Sequence, residues 1–187
     1  MILYSTRFEM LEALLSPGAN ICEIGVFTGQ FANQLLSLHP KRLFLIDPFE
    51  GIVSSGDADG NNVQHAILPI VYFNMLQDMA SHPNVFVLRG YSSEFLRMIP
   101  PGVLDCCYID GDHSYEGVKQ DLEQCWRIVK PGGYVCGHDY EMNPAKTKNQ
   151  YDFGVKRAVD EFCAANGVSI VAKGMDGQVS FAIKKPI

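Results

Sequence analysis

Apolar residues recur along this chain with two different spacings, and the spacing changes several times. Between residues 8 and 15 they follow one helical face, behind a Thr6 and Glu9 pair with capping-box spacing, which predicts a leading helix. Shorter apolar runs, typical of buried strands, occur at 20–25, 42–47, 84–89, 104–110, 134–137, 168–173 and 178–184. Further helical spacing occurs at 30–38, 64–80, 92–98, 115–129 and from Asp152, the predicted N-cap, to Gly167.

Strands that alternate with helices predict a doubly wound α/β fold with a mostly parallel sheet. The last two strands flank a short turn at 176–177, so they should form a hairpin that adds one antiparallel strand. The 187 residues suit a single domain over 1–187. Two stretches rich in small and polar residues, 51–62 and 141–151, follow strand ends, where α/β sheets carry ligand-binding loops.

Charge and hydropathy exclude several classes of partner. With a net charge of −6 and a pI of about 5.3, the chain lacks the broad positive field that holds a nucleic-acid backbone, so no nucleic-acid partner is expected. No apolar run approaches the roughly 18 residues that a membrane span needs. The polar residues after the first four positions argue against a signal peptide, and no membrane association is expected.

The cysteines indicate a structural role. All six lack Cys-x-x-Cys spacing, and most lie in apolar stretches, which favours reduced core thiols in a cytoplasmic protein. Cys106 and Cys107 are neighbours on a predicted strand and should point to opposite faces of the sheet.

Residues 23–31 join the first predicted strand to a helix through a glycine-containing turn. Such turns let a ligand approach the backbone and offer it a helix N-terminus. A dinucleotide fingerprint would need glycines where this chain has Phe27 and Gln30. Glu23 is unfavourable beside a pyrophosphate but suits a ligand with an ammonium group and a sulfonium charge. The turn therefore favours S-adenosylmethionine, with Glu23, Gly25, Phe27 and Gly29 around it.

Two later strand ends can complete a nucleoside site. Asp47 ends the second predicted strand, where a carboxylate can accept hydrogen bonds from both ribose hydroxyls. Tyr91 and Ser92 follow the third strand and could lie beside an adenine. Each residue has a plainer interpretation: a tight turn for the glycines, a cap or surface acid for Asp47, and a helix N-cap for Ser92. Their joint order favours the cofactor interpretation.

Five ionisable side chains follow the next two strands: Asp110, Asp112, His113, His138 and Asp139. Parallel strands should bring them together at one edge of the sheet. An acid or imidazole at such an edge can take a proton from a bound substrate, and Asp112, His113 and His138 are the candidates. Alternatively, Asp112 and His113 cap the following helix, and His138 is a hydrogen-bonded, nearly buried imidazole.

Over nearly its whole length the chain resembles the class I S-adenosylmethionine-dependent methyltransferases. The resemblance rests on Glu23-x-Gly25-x-x-x-Gly29, on Asp47 and on a Lys-Pro-Gly-Gly turn at 130–133. Residues 108–115 and 137–140 are similar to a branch that includes the macrocin O-methyltransferases and relatives of cephalosporin hydroxylase assembly proteins. The resemblance implies a Rossmann-like sheet and S-adenosylmethionine as cofactor, with Asp110 also beside it. Phe27 departs from the glycine common in the superfamily.

The same branch implies a divalent ion, magnesium or manganese, held by Asp110, His138 and Asp139. Some members have two acids where this chain has His138 and Asp139, so the oxygen set that magnesium prefers is incomplete. The leading hypothesis is an O-methyltransferase for a small hydroxylated acceptor, such as a sugar or secondary metabolite. A non-catalytic S-adenosylmethionine-binding protein stays open, as does a nicotinamide-dependent oxidoreductase, which conflicts with the glycine spacing. The acceptor's identity and formation of a homo-oligomer also stay open.

Overall fold

The structure, a computed structural model, describes residues 1–50, 62–141, 154–176 and 178–187. Its strands are β1 (Ile2–Tyr4), β2 (Asn20–Ile24), β3 (Arg42–Asp47), β4 (Val85–Arg89), β5 (Leu104–Ile109), β6 (Val129–Glu141), β7 (Ile170–Gly174) and β8 (Val179–Lys184). Its helices are α1 (Arg7–Leu14), α2 (Gln30–Leu36), α3 (Asn62–Met79), α4 (Ser92–Phe95), α5 (Tyr115–Ile128) and α6 (Val155–Asn166), with a 3₁₀ turn at Leu96–Met98 after α4.

All eight strands belong to one sheet, in the order β1-β7-β8-β6-β5-β2-β3-β4. Strand β8 runs antiparallel to both neighbours, and every other pair in the sheet is parallel. The predicted doubly wound sheet with one antiparallel strand in a C-terminal hairpin is thus confirmed. Strand β1 was not predicted, because three residues are too few to show a period.

Helices cover both faces of the sheet because each face is apolar. Helices α5 and α6 pack on one face through residues such as Leu122 and Val159, and α1 and α2 pack on the other through residues such as Met10 and Leu35. Cys107 belongs to the first core cluster and Cys106 to the second, so the two thiols point to opposite faces as predicted.

Two predicted boundaries differ clearly from the structure. Strand β6 already begins at Val129 and includes the 130–133 segment predicted as a turn, with an irregular register against β5 that accommodates it. Helix α6 begins at Val155 with Gly154 in the N-cap position, and the predicted N-cap, Asp152, lies outside the described residues. Nearly all of the two predicted ligand-binding loops, 51–62 and 141–151, lies outside the described residues. Gly177 of the predicted hairpin turn also lies outside them.

Helices long and apolar enough to cross a membrane are absent from the part of the chain that the structure describes.

Candidate active site

The sequence-predicted site residues lie at one edge of the sheet. Strands β2, β3, β4, β5 and β6 are parallel, so their carboxyl ends share that edge. The predicted residues occur at or just after these ends: Glu23, Gly25, Phe27, Gly29, Asp47, Tyr91, Ser92, Asp110, Asp112, His113, His138 and Asp139. The edge has a cofactor side, after β2, β3 and β4, and a reacting side, after β5 and β6.

Gly25 lies where two strand ends approach each other most closely. Its φ is +82°, and a Cβ built there would lie 2.0 Å from the carbonyl oxygen of Asp110. The amide of Gly25 donates to the Ile46 carbonyl, and the Asp110 amide donates to the Ile24 carbonyl. Glycine at 25 is therefore required by the backbone of the next strand, whether or not a ligand is bound. Gly29 also has a positive φ, +76°, but a Cβ there would meet only the tip of Met75.

Asp47 holds the glycine turn through main-chain amides. Its Oδ2 accepts hydrogen bonds from the amides of Val26 (2.8 Å) and Phe27 (2.9 Å), and its Oδ1 accepts one from Phe49 (2.6 Å). Phe27, with φ of +49°, is 54% exposed beside this carboxylate. A carboxylate offers about four lone-pair sites, and these bonds use both on Oδ2 and one on Oδ1, so one site on Oδ1 is left for a ribose hydroxyl. The predicted ribose contact is compatible with this geometry and stays a prediction.

Glu23 supplies a buried and incompletely bonded carboxyl group at the same turn. The residue is 1% exposed, and its Oε2 has no hydrogen-bond partner among the described residues. Burial, together with the nearby charge of Asp110, raises the pKa of Glu23 well above its ordinary value. An unpaired buried carboxyl group is costly, and an ammonium group placed beside it would remove that cost. This orphan oxygen fits the amino-acid end of S-adenosylmethionine.

Tyr91 and Ser92 begin α4, next to the end of β4. Tyr91 is 58% exposed, and the Ser92 hydroxyl donates to Asp121 Oδ1 at 2.6 Å. Burial raises the pKa of Asp121 to about 6, against the lowering effect of the Ser92 hydrogen bond. The sequence analysis missed Asp121, although an acid at helical spacing from buried Val118 and Cys125 was a legible signal.

On the reacting side, two carboxylates and two imidazoles meet. His113 Nε2 lies 3.0 Å from Asp139 Oδ2 and 3.3 Å from Asp110 Oδ1. His138 Nδ1 lies 3.4 Å from Asp139 Oδ2 and 3.7 Å from Asp110 Oδ1. Asp139 has a positive φ of 55° within β6, where the register against β8 shifts. This strained backbone directs the Asp139 carboxylate toward both histidines.

The pKa values of His113 and Asp139 are shifted by the contacts between these imidazoles and carboxylates. Burial alone would lower the pKa of His113, but hydrogen bonds and charge from Asp110 and Asp139 outweigh it and raise the value to about 9. Burial would raise the pKa of Asp139, but both imidazoles hold it well below its ordinary range. His113 and Asp139 thus form an ion pair at neutral pH.

The same group offers a set of metal ligands. Asp110, His113 and Asp139 each provide an atom, and these atoms all lie within 4.8 Å of one another. Two carboxylate oxygens and an imidazole suit manganese or a related divalent ion better than an all-oxygen magnesium site. His113 takes the central place that the family resemblance implied for His138, whose Nδ1 lies farther from both carboxylates.

Asp112 binds the residue that caps α5. Its Oδ1 accepts from the Ser114 amide and its Oδ2 from the Ser114 hydroxyl, both at 2.9 Å, while Ser114 caps α5. The capping alternative considered from sequence placed Asp112 and His113 at the cap, whereas here Asp112 supports Ser114, the cap residue, and His113 lies with Asp110 and Asp139. The geometry gives no support to Asp112 as the general base, and that role stays untested.

The structure adds Arg7, which the sequence analysis did not single out. Arg7 opens α1, and its Nη1 donates to Asp110 Oδ2 at 3.1 Å. Its guanidinium also lies 4.2 Å from the ring centroid of Phe31, in the first turn of α2. The only available signal was a cation in the leading helix of an acidic chain, which is too general to identify a site residue.

Comparisons with known proteins agree with this architecture. A model of the methyltransferase domain family matches residues 22–140. An uncharacterized protein of Acanthamoeba polyphaga mimivirus is 26% identical over 143 residues, which are 74% of this chain and 61% of the viral protein. The chain therefore spans 61% of the length of that curated relative.

Solved structures share the fold at low sequence identity. The O-methyltransferase NovP superposes with a TM-score of 0.67 at 21% identity, covering 97% of this chain and 80% of NovP. An O-methyltransferase from Bacillus cereus, solved in complex with SAH, superposes with a TM-score of 0.62 at 18% identity. The match covers 95% of this chain and 78% of the Bacillus cereus enzyme. With the family match over more than half of its residues, this chain belongs to the methyltransferase domain family.

Proposed function

We propose that the protein uses S-adenosylmethionine to methylate a hydroxyl group of a small molecule. The observation that carries this proposal is the meeting of Asp110, His113, His138 and Asp139 at the sheet edge that also bears the glycine turn. Oxygen methylation needs a proton acceptor, a cation or both beside the acceptor hydroxyl, and this group can provide either. The oxygen specificity of NovP and of the Bacillus cereus enzyme points the same way by analogy of fold.

On the cofactor side, the chain would hold S-adenosylmethionine through Glu23 at the ammonium group, Asp47 at the ribose, and Tyr91 and Ser92 near the adenine. Gly25, Phe27 and Gly29 would shape the turn around the ligand. When bound, the cofactor supplies an electrophilic methyl group. The burial of Glu23 and the main-chain bonds of Asp47 support this assignment, because both groups are fixed before any ligand arrives.

On the reacting side, His138 is our candidate for the general base. Its Nδ1 faces the carboxylate of Asp139, which favours the tautomer that carries the proton on Nδ1. Nε2 is then free to take the proton of the acceptor hydroxyl. Direct transfer of the cofactor's methyl group to that oxygen would need no covalent enzyme intermediate. Asp110, His113 and Asp139 would hold a divalent ion that lowers the pKa of the acceptor hydroxyl.

Calorimetric titration with S-adenosylmethionine, SAH, NAD and NADP tests the cofactor assignment. We expect binding of the first two ligands and none of the nicotinamide cofactors. Transfer of a radiolabelled methyl group to a panel of phenols, catechols and sugars, with and without Mn²⁺, then tests the reaction. Binding of NAD in place of S-adenosylmethionine would contradict the proposal, and transfer to amines but not hydroxyls would restrict it to another acceptor class.

The role of the base is tested by His138→Asn with Asp112→Asn as the matched control. Removal of a general base typically lowers the rate by ~10²–10⁴-fold, and we expect that loss for His138→Asn only. Asparagine keeps an oxygen that can accept from the Ser114 amide, so Asp112→Asn should keep the rate close to wild type. A large loss in Asp112→Asn with normal turnover in His138→Asn would return the role to Asp112.

A further inference from the structure

Arg7 places a fixed positive charge between the cofactor side and the reacting side. Besides Asp110 and the ring of Phe31, it contacts Asp176, whose Oδ1 accepts from the Arg7 amide at 3.1 Å and whose Oδ2 lies 3.7 Å from Nε. The Arg7 side chain is 23% exposed, so it is held on several sides yet open to a ligand. A guanidinium has five N–H donors; the two carboxylates contact Nη1 and Nε, and the Tyr108 hydroxyl accepts one further hydrogen bond. Donors therefore remain for a further acceptor.

Arg7 also acts on Glu23, the buried acid of the glycine turn. Burial and the charge of Asp110 raise the pKa of Glu23, and the positive charge of Arg7 opposes that rise. Arg7 also binds Asp110, whose amide donates to the Ile24 carbonyl and whose own carbonyl lies against Gly25, so the guanidinium is anchored at the strand end next to the Glu23 turn. An unpaired carboxyl oxygen and a guanidinium with donors to spare are complementary to a zwitterion, which carries an ammonium group and a carboxylate.

We propose that Arg7 binds the carboxylate of the methionine moiety of S-adenosylmethionine, while Glu23 binds its ammonium group. The inference rests on the proposed function, since it requires S-adenosylmethionine as the cofactor. The planar guanidinium suits a carboxylate because two parallel N–H bonds can form. Asp110 and Asp176 act as positioning residues for the guanidinium, so little side-chain freedom is lost when the carboxylate arrives.

Calorimetry with two ligands tests this assignment without an acceptor substrate. Decarboxylated S-adenosylmethionine keeps the ammonium, sulfonium and adenosine groups and lacks only the carboxylate. We expect Arg7→Gln to weaken S-adenosylmethionine binding by about 10- to 100-fold, the range for a charge-assisted hydrogen bond. The same substitution should change the affinity for the decarboxylated ligand by less than about twofold. Arg7→Lys keeps the charge without the planar fork and should give an intermediate loss.

Arg157→Gln is the matched control for loss of an arginine. Arg157 lies on α6 and pairs with Glu161 on the same helix at 3.0 Å, with its side chain 68% exposed. Affinity for both ligands should be unchanged in this variant. Thermal unfolding of every variant shows whether a loss of binding reflects a loss of fold.

Equal losses for both ligands in Arg7→Gln would show that Arg7 acts through the fold, and unchanged affinities would show that it has no role; either result overturns the inference. Should the Arg7 variants fail to fold, the wild-type protein still decides. It should bind S-adenosylmethionine at least about 10-fold more tightly than the decarboxylated ligand, and equal affinity overturns the inference. Failure of the wild type to bind either ligand contradicts the proposed function itself, a distinguishable outcome.

Discussion

The cofactor side and the reacting side of the cleft are built in different ways. On the cofactor side, Gly25 meets the backbone of β5, and the Asp47 carboxylate binds three main-chain amides. On the reacting side, His113, His138 and Asp139 depend on contacts between side chains. Main-chain construction ties the cofactor side to the integrity of the fold. Side-chain construction makes the reacting side depend on the identity of these three residues.

The largest expected effect compares Gly25→Ala with Gly29→Ala. A methyl group at 25 would lie against the Asp110 carbonyl, where neither strand can yield, so we expect a loss of more than about 4 kcal/mol or no folded protein. At 29 only the flexible tip of Met75 must move, and the left-handed backbone costs about 1–2 kcal/mol. Urea unfolding measures both. Comparable, small losses would mean that the turn relaxes and that backbone contact does not dominate the cofactor side.

The next effect concerns catalysis on the reacting side. Asp139→Asn removes the negative charge shared by His113 and His138, and we expect methyl transfer to fall by ~10²–10⁴-fold. Affinity for S-adenosylmethionine should change by less than about twofold, because this carboxylate is on the other side of the cleft. Steady-state rates and calorimetry measure the two quantities. A joint loss of rate and cofactor affinity would show that the two sides are not separable.

Asp47→Ala should act on the cofactor side and lower the affinity for S-adenosylmethionine. Loss of the carboxylate frees the amides of Val26, Phe27 and Phe49, so the glycine turn loses its support as well as its ribose contact. We expect S-adenosylmethionine binding to weaken by about 10- to 100-fold, the range for charge-assisted hydrogen bonds. Circular dichroism should confirm that the sheet persists. Unchanged affinity would remove Asp47 from the cofactor site.

The smallest effect is a pH dependence of stability. The pKa of His113 is raised from 6.5 to about 9, so the folded protein binds this proton more tightly than the unfolded chain does. The resulting stabilisation is fully present below pH 6.5 and is lost as the pH rises through about 9. Because the pair is partly exposed, we expect only about 1–2 kcal/mol.

Urea unfolding from pH 6 to pH 10, with His113→Gln for comparison, measures this contribution. The wild type should lose more stability than the variant over that interval. Parallel pH profiles for the two proteins would show that the ion pair of His113 and Asp139 does not form in solution.

Much of the fold was predictable because it depends on local patterns. Alternating helical and strand periods specified the seven longer strands and the antiparallel hairpin, and the capping pair Thr6 and Glu9 marked the start of α1. Strand β1 was not predicted because three residues are too few to show an alternating pattern, and it is a strand only through its pairing with β7. The glycine turn was found for the same local reason, although the contact that requires Gly25 was not.

The sequence by itself determined the order of the strands that carry chemistry, and so which residues reach the shared edge of the sheet. It did not determine which of them touch. Asp112 and His113 are neighbours in the chain, yet Asp112 binds Ser114, the N-cap of α5, and His113 joins Asp110 and Asp139. Arg7 is 103 residues from Asp110 and 169 from Asp176, and only the folded sheet brings them into contact. Periods and turns are properties of neighbouring residues, whereas the partners of a charged side chain depend on distances across the folded protein.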